Sequence, residues 1–277
     1  MNIHVVESQF QIKIAHTISN SKIIFIPQNK KRFFIILKAF YMAVTHINNR
    51  KVIIHDHRSW VLILLVLCRF FLKNYKNNLY IGDDGAYSVL VDFYKEDYLF
   101  WRVNFFKLIF MKPLTNKIFQ IKRYQTLIDA RHKTSDGSIY KNYYKNLKKN
   151  KTAFTKKNIF IDQTHVVNSL GKKELCDLIN FIKKLEHVEI ILHPNTPSKN
   201  VFSDYGIPCR YSNDLDSEIM SMTNKQTLYS FFSTSIINAI KLNKNVKIIH
   251  TNTNDSTINS YAEAFISLLN IDKVIKI

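Results

Sequence analysis

Apolar and polar positions fall into two alternating patterns. Asn2-Ile3-His4-Val5-Val6, Lys22-Ile23-Ile24-Phe25-Ile26, Lys51-Val52-Ile53-Ile54 and Leu79-Tyr80-Ile81 are short runs with few polar breaks, which read as buried strands. Residues 12–18, 31–47 and 59–74 have helical spacing, and Pro27 stops the second strand. Successive βα units and a parallel sheet are therefore expected.

Residues 140–157 break that rhythm. Lys141, Lys145, Lys148, Lys149, Lys151, Lys156 and Lys157 crowd a stretch with few apolar positions. A charge run of this kind is a solvated helix face or a linker. It reads here as the connection between two domains, 1–150 and 151–277. The second half then resumes the α/β pattern. Strands are expected at Asn158-Ile159-Phe160-Ile161, at Val188-Glu189-Ile190-Ile191-Leu192, at residues 227–232 and at Val246-Lys247-Ile248-Ile249. Helices are expected at 172–185, 217–222, 236–242 and 260–269.

Composition narrows the class. The 277 residues are 46% hydrophobic, enough for a real core, and carry a formal net charge of +19. That charge suits nucleic acid, an anionic membrane surface or an anionic substrate. Cys68, Cys176 and Cys209 are scattered and show no CxxC spacing, which argues against a disulfide framework or a structural zinc site and fits a reducing compartment. The N-terminal stretch lacks the basic region and apolar core of a signal peptide. The apolar run from Trp60 to Cys68 is too short to cross a bilayer. Residues 93–128 mix Tyr94, Tyr98, Phe100, Trp101, Phe105, Phe106 and Phe110 with Arg102, Lys107 and Lys112. The mixture reads either as core packing or as a surface at lipid headgroups.

Candidate chemistry gathers at strand ends, where open α/β sheets bind ligands. Tyr80-Ile81-Gly82-Asp83-Asp84-Gly85 places two carboxylates between two glycines just after a strand. It reads as an acidic turn or as a loop holding a general base. His193-Pro194 ends another strand. Proline cannot extend the sheet, so the imidazole is presented at the rim, either as a structural residue or as a phosphate-binding one. Ser233-Thr234-Ser235 lies between a strand and a helix, where hydroxyls cap the helix and its free N–H groups form an anion site. Glu218, at the start of a short helix, is a solvated first-turn acid or a carboxylate for sugar hydroxyls. His55-Asp56-His57 resembles a metal cluster, but alternate residues of an extended segment face opposite sides, and no metal is expected there. Asp214-Leu215-Asp216 resembles a metal-binding DxD but sits in a polar stretch and reads as a turn.

Taken in order, Asp83-Asp84-Gly85, His193-Pro194 and Ser233-Thr234-Ser235 resemble the D/E-D/E-G, HP and Ser/Ser-Thr motifs of the bacterial GT-B sialyltransferases, namely the glycosyltransferase family 52 lipooligosaccharide sialyltransferases and the capsule polysialyltransferases. Val5-Val6-Glu7-Ser8-Gln9-Phe10-Gln11 and Ile159-Phe160-Ile161-Asp162-Gln163 also look like the family. The resemblance spans most of the chain.

It implies an α/β protein of GT-B fold, with two Rossmann-like domains facing each other across a cleft. Its implied activity is inverting, metal-independent transfer of sialic acid from CMP-sialic acid to a hydroxyl of a surface glycan: lipopolysaccharide O-antigen or core, or capsule. Asp83 would be the general base and Asp84 and Gly85 would shape its loop. His193, beside Pro194, would bind or protonate the departing phosphate. Two of Ser233, Thr234 and Ser235 would hold that phosphate, Glu218 would hold the ribose, and Ser8 and Gln9 join the substrate-binding set. No cofactor is expected beyond the donor itself. The expected partners are the CMP-sugar, a glycan or lipid-linked acceptor and an anionic membrane. The protein would lie on the cytoplasmic face of the inner membrane, held by basic and aromatic surface in 60–128 and 140–157. The rivals are a GT-B enzyme with another sugar nucleotide and a basic nucleic-acid-binding protein. The second lacks an RNP-like strand, a helix-turn-helix signature or zinc spacing, so no nucleic acid is expected.

Overall fold

Parallel pairing organises every sheet contact of the computed structural model. It describes residues 1–18, 20–27, 32–56, 59–72, 75–82, 117–118, 120–124, 143–145, 154–194, 196–269 and 273–277. The chain divides into two compact units, Met1–Asn146 and Leu147–Ile277. The division falls inside the lysine-rich stretch.

In the first unit, β1 (Asn2–Val6), β2 (Ser21–Phe25), β3 (Val52–Ile54), β4 (Leu79–Ile81) and β5 (Lys122–Arg123) form a sheet in the order β2-β1-β3-β4-β5. Helices α1 (Gln9–His16), α2 (Arg32–His46), α3 (Trp60–Leu67) and the single turn α4 (Tyr75–Asn78) connect them. The core joins strand residues Ile3, Val5, Val52 and Ile54 to Ile36, Ala39 and Ala43 of α2 and to Val61, Leu62 and Leu65 of α3. The run expected as one helix over 59–74 stops at Leu67 and tightens into a 3₁₀ turn at Arg69–Phe71.

In the second unit, β6 (Asn158–Ile161), β7 (Val188–Leu192), β8 (Cys209–Tyr211), β9 (Thr227–Ser230), β10 (Val246–His250) and β11 (Val274–Lys276) form a sheet in the order β11-β10-β9-β6-β7-β8. Its helices are α5 (Thr164–Val167), α6 (Lys172–Lys184), α7 (Val201–Asp204), α8 (Leu215–Met220), α9 (Thr234–Lys241) and α10 (Ser256–Leu269). All four β6 residues are buried, as expected of a central parallel strand. Helix α6 turns Leu178, Ile179 and Ile182 inward, one face of a 3.6-residue repeat.

Each order reverses once. The chain leaves β1 toward β2 and returns on the other side to β3. It leaves β6 toward β7 and β8 and returns to β9. These reversals open a crevice at the C-terminal ends of β1/β3 and of β6/β9, the positions at which doubly wound sheets bind ligands.

Candidate active site

In the second unit, the chain leaves β6 through Asp162, Gln163, Thr164 and His165. Asp162 is buried, and its Oδ2 accepts hydrogen bonds from Thr196 Oγ1 and, at 3.4 Å, from Thr164 Oγ1 and the backbone N–H of His193. One carboxylate therefore fixes the loop after β6 to the loop after β7. Gln163 Nε2 donates to the Phe232 carbonyl at 2.6 Å, tying the β6 loop to the β9 loop across the reversal. Asp162 Oδ1 and Gln163 Oε1 accept no hydrogen bond from a described residue.

His193 leaves the end of β7 with its side chain exposed, and Pro194, also exposed, turns the chain away. Nearby protein lowers the proton affinity of the His193 imidazole, while the Asp162 carboxylate raises it. His165, in the single-turn helix α5 that follows β6, has its ring edge-on to Phe232, 5.8 Å between centroids. Its proton affinity is also lowered, by desolvation first and by His193 second, against Asp162. The two imidazoles are thus electrostatic neighbours, and burial biases each toward its neutral form.

After β9, Ser233 caps α9: its Oγ accepts from Ile236 N–H at 3.3 Å and its hydroxyl lies 3.5 Å from Ser230 Oγ. Ser233 is buried, whereas Thr234 and Ser235 are half-buried. The first N–H groups of a helix have no partner within it and carry the positive end of its dipole. Strand β6 lies between β7 and β9, so His193 and the start of α9 leave the sheet about 10 Å apart, with His165 between them. That edge therefore offers two imidazoles and a helix N-terminus to an anion.

Glu218 is elsewhere engaged. It is 1% exposed, and its carboxylate takes both arms of the Arg210 guanidinium, at 3.2 and 2.8 Å, and the Ser212 hydroxyl at 2.9 Å. A ribose-holding role for it is carried by the family resemblance, while the geometry makes it the anchor of Arg210. Asp214 caps α8 through Ser217, and Asp216 Oδ1 accepts from Asn238 Nδ2 at 2.8 Å. The DxD-like pair therefore starts a helix instead of forming a loop turn. Among the described residues no group of three or more His, Cys, Asp or Glu side chains is arranged to hold a metal ion.

In the first unit, Asp83, Asp84 and Gly85 lie outside the described residues, as do His57 and most of 93–128 and 140–157. Gly82, which leads into Asp83, is described. A Cβ there would sit 2.5 Å from His55 Nδ1, so Gly82 is needed because the His55 ring lies against the backbone, not for an unusual φ. His55 is in turn fixed by His4, Nδ1 to Nε2 3.0 Å, with stacked rings. Both imidazoles are buried. Ser8 caps α1 by accepting from Gln11 N–H, the exposed Gln9 begins that helix, and Gln11 Oε1 accepts from Glu7 N–H at 2.6 Å.

Burial, with a smaller contribution from His55, lowers the His4 pKa to about 3. An unfolded chain takes up that proton near 6.5, so the stabilisation is present above 6.5 and is lost as pH falls toward 3. The expected loss is about 1.4 kcal/mol per pH unit, or at most about 2 kcal/mol between pH 6.5 and 5. Urea unfolding at pH 7.5 and 5.0 should show this for the native chain and not for His4→Gln. Equal pH slopes would remove His4 as the cause.

No family model matches the chain, and no curated protein matches it. Solved structures do. An α/β-galactoside α-2,3-sialyltransferase from the luminous marine bacterium Photobacterium phosphoreum superposes with a TM-score of 0.56 over 99% of this chain and 98% of its own, at 14% identity. The chain has the GT-B glycosyltransferase fold. An E. coli heptosyltransferase, WaaC, aligns over 100% of this chain and 93% of its own at 10% identity, with a TM-score of 0.39.

Asp162, Thr196 and His165 are candidate site residues to which the sequence assigned no role, although Asp162 falls in the stretch that looks like the family. Beyond that, their signal is that they follow apolar strands. Asp and Thr at such ends are also ordinary turn and cap residues.

Proposed function

We propose that the chain is an inverting sialyltransferase that moves sialic acid from CMP-sialic acid to a hydroxyl of a bacterial surface glycan, in lipopolysaccharide O-antigen or core or in capsule. The observation that carries this reading is the edge of the second unit at which His193, His165 and the start of α9 lie side by side.

The leaving group fits that edge. Sialic acid departs from a single phosphate, not from a diphosphate held by a divalent cation. Two imidazoles and a helix N-terminus can neutralise the developing charge where it forms. The acceptor O–H proton passes to the Asp83 carboxylate as its oxygen attacks the anomeric carbon. The bond from that carbon to the phosphate oxygen breaks, and CMP leaves with the bonding pair, stabilised or protonated by His193. One displacement inverts the anomeric centre.

The test is incubation with CMP-sialic acid and a panel of oligosaccharide and lipid-linked acceptors in EDTA, read by mass spectrometry. Transfer from a different sugar nucleotide alone would replace the donor assignment. Loss of transfer in EDTA, restored by Mn²⁺, would end the metal-independent mechanism.

CMP binding carries a second expectation. Both imidazoles are biased toward the neutral form when free, and the phosphate favours their charged forms, so binding takes up a proton. Affinity should rise as pH falls from 8 to about 7, above most of the range in which the phosphate itself titrates. His193→Ala should weaken CMP binding roughly tenfold, the worth of one charge-assisted hydrogen bond, and should flatten that profile. Titration calorimetry at three pH values checks both, and an unchanged profile in His193→Ala would exclude His193 from the phosphate.

A further inference from the structure

Helix α2 is apolar on both sides. Ile36, Ala39 and Ala43 face the core. On the opposite side Phe33 is 64% exposed, Phe34 75%, Leu37 43% and Tyr41 69%. A surface helix ordinarily carries polar residues there. Scattered exposed hydrophobics are normal, but these four follow each other along about two turns of one helix. Together they present roughly 400 Å² of side chain, in the range of a functional patch.

Among the described residues of the first unit the only carboxylate side chains are Glu7 and Asp56, and both are buried. Lys38 is exposed on the same side of α2. Lys30, Lys31 and Arg32 lead directly into Phe33, and the first turn of α2 contains no acidic residue. Helix α3, packed against α2, ends near two further exposed rings, Phe70 at 81% and Phe71 at 85%, with the Arg69 guanidinium 4.2 Å from the Phe70 centroid.

We propose that the outer face of α2 is a docking surface for an anionic lipid bilayer, with Phe33, Phe34, Leu37 and Tyr41 entering the headgroup boundary and Lys38 beside them on the lipid phosphates. A helix with aromatics and leucine on one face and cations beside them lies in the plane of the interface. A second copy is a poorer occupant, because an isologous contact would press one cationic face against another. The surface is monotopic in kind, since among the described residues no helix is long and apolar enough to cross a membrane. It lies outside the segments, 60–128 and 140–157, to which the sequence directed membrane contact, apart from Phe70 and Phe71. It does not depend on the transferase reading.

Flotation of the full chain with vesicles of phosphatidylcholine, with and without 30% phosphatidylglycerol, tests it. The native chain should float with the anionic vesicles at low salt and much less with neutral ones. Phe33→Ser with Phe34→Ser should reduce binding about tenfold or more, and Lys38→Gln on the order of fivefold. All three sites are exposed, and circular dichroism with thermal melting verifies that the variants remain folded. Equal flotation of native and double-serine chains would overturn the proposal. So would a native dimer that the serine pair dissociates in the absence of vesicle binding, or salt-sensitive RNA binding that the serine pair abolishes while flotation persists.

Discussion

On the proposed mechanism, Asp83→Asn is expected to reduce sialic acid transfer about 10²–10⁴-fold, the usual worth of a general base, while CMP affinity stays within about twofold. The amide keeps the size and shape of the carboxylate and removes its basicity. The described chain leads into this residue through packed backbone: β4 ends at Ile81, Gly82 N–H donates to the Ile54 carbonyl at 2.9 Å, and Gly82 rests on the buried His55 ring. Single-turnover transfer beside CMP calorimetry separates the roles. Base loss should slow the chemical step alone, whereas His193→Ala should lower both binding and turnover. Abolished CMP binding in Asp83→Asn, with intact binding in His193→Ala, would reverse the two assignments.

The same packed backbone shows what the sequence made legible. A glycine between a strand and two carboxylates marks a special backbone position, but its cause is a histidine 27 positions earlier in the chain, and such a contact leaves no local pattern. Central strands were readable because burial on both faces forces apolar runs: β6 and β7 begin and end where the runs do. The edge strands β8 and β11 were not, because an edge strand pairs on one side only and tolerates Arg210 or Lys276 in its run. The α9 cap was legible because Ser before an apolar helix satisfies an N–H locally. Asp162 was not, because its partners Thr196 and His193 come from another strand's loop. The aromatic surface on α2 was read as one more helix, since a buried and a lipid-facing aromatic look alike in sequence. The fold separates them by showing which face the core already occupies.

Glu218 sharpens that difference between pattern and structure. Arg210→Met is expected to destabilise the second unit by about 3 kcal/mol, near the lower end of the cost of breaking a buried ion pair. Arg210 sits on β8 and reaches two elements: its Nε donates to Glu189 Oε1 of β7 at 2.7 Å and its two arms hold Glu218 of α8. Hydrogen bonding to Glu218 raises the proton affinity of the Arg210 guanidinium further, so the arginine keeps its charge. The arginine side chain is 35% exposed but the glutamate only 1%. Its removal therefore strands a carboxylate that water cannot reach, and the remaining Ser212 hydroxyl cannot compensate a full charge. For a unit of this size about 3 kcal/mol lowers Tm by roughly 10 °C. Arg210→Met with Glu218→Gln should recover most of that loss, because the amide leaves no charge stranded. The double variant also isolates the ribose question. If Glu218 is an anchor alone, the double variant binds CMP like the native chain at 10 °C, where both are folded. If it holds the ribose, affinity stays low after stability returns. A Tm for Arg210→Met within about 2 °C of native would show that the pair does not hold β7, β8 and α8 together.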